Sequence, residues 1–303
     1  MRPQRRSSDL AAESFLILRN AFFQEKMKPQ SYRLRDKRNT QDDPFDEYVH
    51  ALLAKGLPDD TRCLSAPGPL ITPDLVILRP EMCKMAPRAL LATDLSRIVG
   101  LEVKKLERTP GGAVARSSGM DYNTTPPCGT VRVYDRDGHT LDIRGFYLFV
   151  CQEAIHDQPG RYCQSALVLC DGNLLNADFA YYLSVVGQRT KEVGLGTYGD
   201  GANRSRPMLI FANPLGAAAL DHEATLIHFR DDLEKEFPRL RRAGLIRRTV
   251  PLGGARVFHC YRLRNDVSGS HTPFALVDPF PSPTRTEVTQ PRGRFRIDLQ
   301  PPD

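Results

Sequence analysis

Residues 70–78, LITPDLVIL, and residues 97–107, RIVGLEVKKLE, decide how this chain is built. Both are short and rich in Val, Ile and Leu, which reads as two buried strands. Each also carries charge between apolar flanks: Pro73-Asp74 in the first, Glu102-Val103-Lys104 in the second. Strand side chains alternate, so Glu102 and Lys104 share one face and Val103 takes the other. If the two strands pair, Asp74 lies beside Glu102, clustering two carboxylates and one ammonium. Carboxylates held that close repel each other, and a hard divalent cation relieves the repulsion. A Mg2+ ion would take one or two protein oxygens and leave positions for water and a phosphate oxygen. Lys104 would orient or deprotonate the attacking water and offset charge on phosphorus.

Upstream, DLAAESFLILRNAFFQE (9–25) spaces its apolar residues as a helix, with Ser8 or Asp9 as N-cap. A charged stretch from Lys26 to Asp43 reads as a linker or an arm. Pro44 then opens a second helix, PFDEYVHALLAKG, ended by Gly56. Downstream, residues 108–130 are dense in Gly, Pro, Ser and Thr, a long loop of the kind that carries function. TVRVY and TLDIRGFYLFV form a strand pair around the turn Asp135–Gly138. SALVLC is a further buried strand, followed by a helix through Ala177 to Val186. A second polar loop, 187–206, leads to the strand MLIFA. Residues 221–243 read as helical, TVPLGGARVFHCYRL as a hairpin, and the Pro-rich end as an extended tail. The order predicts an α/β fold, a central mixed β-sheet flanked by helices.

The chain has 303 residues, 42 Lys+Arg against 36 Asp+Glu, and a formal charge of +6. With 41% hydrophobic and 26% charged residues it is neither a disordered polyelectrolyte, a collagen-like chain nor a coiled-coil rod. The cations are 33 Arg and 9 Lys, a skew that suits phosphate and guanine edges or a GC-rich coding sequence equally well. Seven cysteines without a C-x-x-C pair read as buried thiols. No apolar run suggests a signal sequence or a membrane span, so the expectation is a soluble cytoplasmic protein. Gly194-x-Gly196-x-x-Gly199 lacks the buried strand a dinucleotide loop needs. His222-Glu223-x-x-x-x-His228 misses zincin spacing by two.

The arrangement Pro73-Asp74, 27 residues, Glu102-Val103-Lys104 resembles the PD-(D/E)xK nuclease superfamily, and the chain as a whole is most similar to a type II restriction endonuclease. The resemblance implies a restriction-endonuclease-like core with family-specific insertions. It also implies Mg2+-dependent hydrolysis of double-stranded DNA leaving 5′-phosphates, by a homodimer. On the family's pattern Asp74, Glu102 and the carbonyl of Val103 would hold the metal, and Lys104 would be the catalytic lysine. An upstream helical acid would be Glu47, with Glu13 second. The loop after the catalytic strand offers Arg108, Arg116, Ser117, Ser118, Asp121, Asn123 and Arg132 to DNA, and the second polar loop offers Arg189, Lys191, Arg204 and Arg206.

The expected organisation is an N-terminal helix and basic arm (1–43) and a nuclease core (44–215) with DNA-contacting loops 108–134 and 187–206. A helix plus β-hairpin subdomain (216–264) and a Pro-rich tail (265–303) complete it. Two other readings stay open. One is a repair or junction-resolving nuclease of the same superfamily. The other is a non-catalytic DNA-binding regulator in which 216–264 resembles the last helix and wing of a winged-helix domain.

Overall fold

A computed structural model describes residues 9–39, 43–66, 72–79, 95, 97–108, 122–124, 128–134, 140–177, 195–196, 208–211, 223–250, 254–267 and 274–276. Helix α1 spans Leu10–Phe22, and the carboxylate of Asp9 caps it by accepting the N–H groups of Ala11 and Ala12, each at 3.1 Å. Helix α2 spans Pro44–Gly56, with the proline in its first turn and Asp43 capping the N–H of Phe45 at 3.0 Å. The charged stretch between them is not a free arm. It contains strand β1, Tyr32–Arg33, and the buried hydroxyl of Tyr32 accepts hydrogen bonds from Gln152 and Gln164.

The strands that follow are β2 (Arg62–Ser65), β3 (Leu75–Leu78), β4 (Ile98–Arg108), β5 (Tyr122–Thr124), β6 (Thr130–Tyr134), β7 (Thr140–Ala154) and β8 (Arg161–Asp171). After them come β9 (Leu195–Gly196), β10 (Met208–Phe211), β11 (Glu223–His228), β12 (Leu240–Val250), β13 (Gly254–Leu263) and β14 (Phe274–Leu276). Residues 172–177 begin helix α3, and Leu233–Glu236 is a single turn, α4. The main sheet runs β14-β12-β13-β11-β8-β7-β4-β3-β2, with β1 added on β8 and β6 on β7. It is mixed: β4–β7, β8–β11 and β12–β14 are parallel, the other pairs antiparallel. The chain is thus α/β, with a large mixed sheet and few helices.

Alternation divides the core between the two faces of the sheet. Leu101, Val103, Phe146, Leu148, Leu167, Leu169 and Leu226 pack with Phe15, Leu18, Phe45, Val49 and Leu53 of α1 and α2. Tyr147, Phe149, Val168, Cys170, Ile227 and Cys260 pack on the other side, with Leu174 and Leu175 of α3. Of the six described cysteines all are free thiols and five are buried, as their spacing suggests.

The reading of 221–243 as a helix is corrected. Glu223–His228 is a central strand between β8 and β13, and Leu240–Val250 is a strand paired with β13, leaving one helical turn between them. Ala224, Thr225, Leu226, Ile227 and His228 are all buried, so this strand has no polar face to display a two-residue alternation. The winged-helix resemblance of 216–264 falls with it, because the hairpin continues the main sheet instead of following a recognition helix. The helix expected through Ala177 to Val186 is present to residue 177, and its remainder lies outside the described residues. Of the Pro-rich end, Phe274–Leu276 lies beside β12.

Candidate active site

Strand β3 pairs antiparallel with β4, Leu75 opposite Leu101 and Leu78 opposite Ile98. One step further in this register sets Asp74 opposite Glu102, at the point where β3 begins. The carboxylate of Asp74 stands in for the missing ladder partner: its Oδ2 accepts the N–H of Val103 at 2.7 Å. In the parallel ladder Glu102 lies beside Tyr147 and Lys104 beside Phe149, so both project to the face opposite Val103. Lys104 Nζ is 2.8 Å from Glu102 Oε1. The other oxygen, Glu102 Oε2, is buried and has no hydrogen-bond partner among the described residues.

A bare carboxylate oxygen in a buried position carries an electrostatic cost. Burial and the charge of Glu102 push the carboxyl of Asp74 up to about 7, against the pull of the Val103 N–H and Lys104. Asp46, on α2, is pushed up to about 8 by burial and by the charges of Asp74 and Asp43. Asp43 is itself tied to Lys105, whose Nζ lies 3.0 Å from its Oδ1, and Lys105 stands over the Phe45 ring. Asp74 and Glu102 thus form an acidic pair on the two strands, with Asp43 and Asp46 from the start of α2 acting electrostatically with Asp74, partly offset by Lys104 and Lys105.

Among the described residues no three or more His, Cys, Asp and Glu converge closely enough to cage a metal ion by themselves. Magnesium does not require such a cage, since it keeps several waters and is held by one or two carboxylates. The orphaned Glu102 Oε2 and the raised Asp74 carboxyl are what a divalent cation would satisfy, so these residues fit one. Asp74 and Glu102 would hold it.

Sequence reasoning placed Asp74, Glu102, Val103 and Lys104 together, and the structure brings them together. Glu47 is not part of the cluster: it is exposed and forks onto Arg35 at 2.6 and 2.8 Å, with Arg38 at 3.8 Å. Glu13 lies in the first turn of α1 and is not among the charges acting most strongly on Asp74. Asp46 is the acid that α2 contributes, and it was missed. A signal for it existed in the helix phase. At roughly 100° per residue, Asp46 sits beside the buried stripe of Phe45, Val49 and Leu53, whereas Glu47 points about 200° from Phe45.

Of the proposed DNA contacts, Arg132 is exposed on β6 and forks onto Asp142 at 2.7 and 3.0 Å. Arg116, Ser117, Ser118, Asp121, Arg189, Lys191, Arg204 and Arg206 lie outside the described residues, as do the side chains of Arg108 and Asn123. Segments of the two loops expected to read DNA nevertheless flank one strand. Strand β5 from the first pairs with β10, Asn123 opposite Ile210, and β10 pairs with β9 from the second. Comparison with protein-family models, with curated proteins and with solved structures found no match.

Proposed function

We propose that this chain is a Mg2+-dependent, site-specific endonuclease of double-stranded DNA, a type II restriction endonuclease with a restriction-endonuclease-like core that acts as a homodimer. One observation carries the reading: Asp74 lies in register opposite Glu102 where β3 begins, Lys104 shares the Glu102 face, and the charge of Asp74 acts on Asp46 of α2. Two carboxylates and a lysine on adjoining strands form an arrangement suited to phosphodiester hydrolysis. When bound, a magnesium ion supplies Lewis-acid polarisation of the phosphate. Asp74 and Glu102 hold it, Lys104 orients the attacking water and offsets charge on phosphorus, and Asp46 adds an acidic group from α2. Hydrolysis breaks the phosphorus–O3′ bond and leaves a 5′-phosphate. The two-fold axis of a homodimer suits a palindromic site.

The test is incubation with mixed-sequence plasmid and Mg2+, followed by mapping of the ends. Discrete fragments with 5′-phosphates are expected. Scattered nicks would favour a repair or junction nuclease, and duplex binding equal in Mg2+ and chelator without any cut would favour a non-catalytic binder.

A further inference from the structure

We propose that the tip of the β12–β13 hairpin docks on the sugar–phosphate backbone of duplex DNA, gripped by Arg247 and Arg256. The inference rests on the nuclease reading for the identity of the polyanion and adds to it a second holding point away from the chemistry. Residues 239–264 contain eight arginines and no Asp or Glu. The ladder register sets Arg248 directly opposite Arg256, and Arg241 opposite Arg262. Like charges placed opposite each other across a strand pair are destabilising. Near the base of the hairpin Glu234 of α4 accepts the backbone N–H of Arg242, while Asp266 is taken up by Arg19 of α1. Toward the tip, Arg247 and Arg256 stand apart from these acids. Arg247 and Arg256 are exposed and, among the described residues, neither has a carboxylate partner. Arg248 is buried, and its Nη1 donates to the carbonyl of Arg247 at 3.0 Å, which ties a third cation to the same tip.

The position of the hairpin in the sheet sets its reach. From β4 the path runs through β7, β8 and β11 to β13 and then β12. At about 4.8 Å per strand these five steps span roughly 24 Å. A duplex rising 3.4 Å per base pair covers that span in about seven base pairs. DNA engaged at Asp74 and Glu102 is thus long enough to meet the hairpin on its flank, where backbone phosphates would supply counter-charge to Arg247 and Arg256.

The experiment measures binding of a 30-base-pair duplex (about four times the reach above) to the full chain with Ca2+ in place of Mg2+, over a salt series. Arg247→Gln/Arg256→Gln is compared with the parent and with Lys55→Gln/Arg161→Gln, an exposed pair of equal charge on other elements. Two lost phosphate contacts should lower the slope of log affinity against log salt by about 1.8 and weaken binding up to roughly sixty-fold at 0.1 M salt. Arg247→Lys/Arg256→Lys should restore most of the slope. An unchanged slope in the Gln pair, or an equal fall in the control pair, overturns the proposal. So does a loss confined to duplex RNA. Because the readout is binding without hydrolysis, absence of cleavage with a slope change leaves the hairpin standing, and intact cleavage with an unchanged slope removes the hairpin alone.

Discussion

Among the described residues, Glu102 holds one oxygen on Lys104 and leaves the other bare in a buried position. Its role can be separated from mere folding by pairing activity with binding. Asp74→Ala, Glu102→Ala and Lys104→Ala should each lower cleavage about a thousandfold or more while duplex binding with Ca2+ persists; parent-like cleavage by Glu102→Ala would remove the site assignment. Asp46→Asn should impair cleavage strongly, whereas Glu47→Gln, which disturbs an exposed fork with Arg35, should leave it near the parent level. Steady-state rates on one oligonucleotide substrate decide between the two acids.

The same residues make stability depend on pH. Asp74 is raised to about 7 and Asp46 to about 8, above the ordinary 3.8. Between about pH 4 and pH 8 the folded chain therefore binds more protons than the unfolded one, and stability falls as pH rises through that window. In chelator the melting temperature should drop from pH 5 to pH 8.5, and Mg2+ should recover it at the alkaline end. Asp74→Asn and Asp46→Asn should each flatten the profile. A melting temperature that rises across this range contradicts the arrangement.

At the scale of elements, what was legible had local signals. Helix α2 follows its capping aspartate and first-turn proline, and β3 and β4 follow their apolar runs into the antiparallel register that joins Asp74 to Glu102. What was not legible depended on neighbours distant in sequence. Strand β11 is buried from Ala224 to His228 between β8 and β13, so its Ala-Thr-Leu-Ile-His string shows no alternation to set against helix propensity. The amphipathic LRRAGLIRR of β12 is made a strand by β13, with a register shift between Arg242 and Gly244. Close backbone approach is equally invisible in sequence. A Cβ on Gly172 would lie 1.9 Å from the carbonyl oxygen of Cys128, and one on Gly145 would lie 2.5 Å from the same atom. Gly172→Ala should therefore cost about 2 kcal/mol, read as a lower urea midpoint at constant slope. Asp9→Ala should cost about 3 kcal/mol, because it uncaps α1 and strips a buried partner from His228 and Arg230.

For the molecule as a whole, the main sheet puts the candidate active site on β3 and β4 near one edge and the arginine hairpin toward the other. The second sheet, β5-β10-β9, sets segments of the two insertions expected to read DNA on either side of β10. No described helix is long and apolar enough to cross a membrane. A homodimer should scatter light as twice 34.0 kDa and keep that mass on dilution to working concentrations; a species of 34.0 kDa that still cuts would remove the two-fold reading of its site.

Asp9 is joined to Arg230 and Glu236, and Arg19 to Asp266, partners 221, 227 and 247 residues downstream. On the ribosome, where residues are added at about 5–20 per second, α1 waits roughly ten to fifty seconds for the groups that fasten it. Helix α1, made early, is fastened only after residue 266 has been added. A polypeptide stopped short of residue 230 holds Asp74, Glu102 and Lys104 but lacks these fastenings, so a damaged message yields a chain with the acidic pair and without its finished frame. Translation itself sets when the molecule closes.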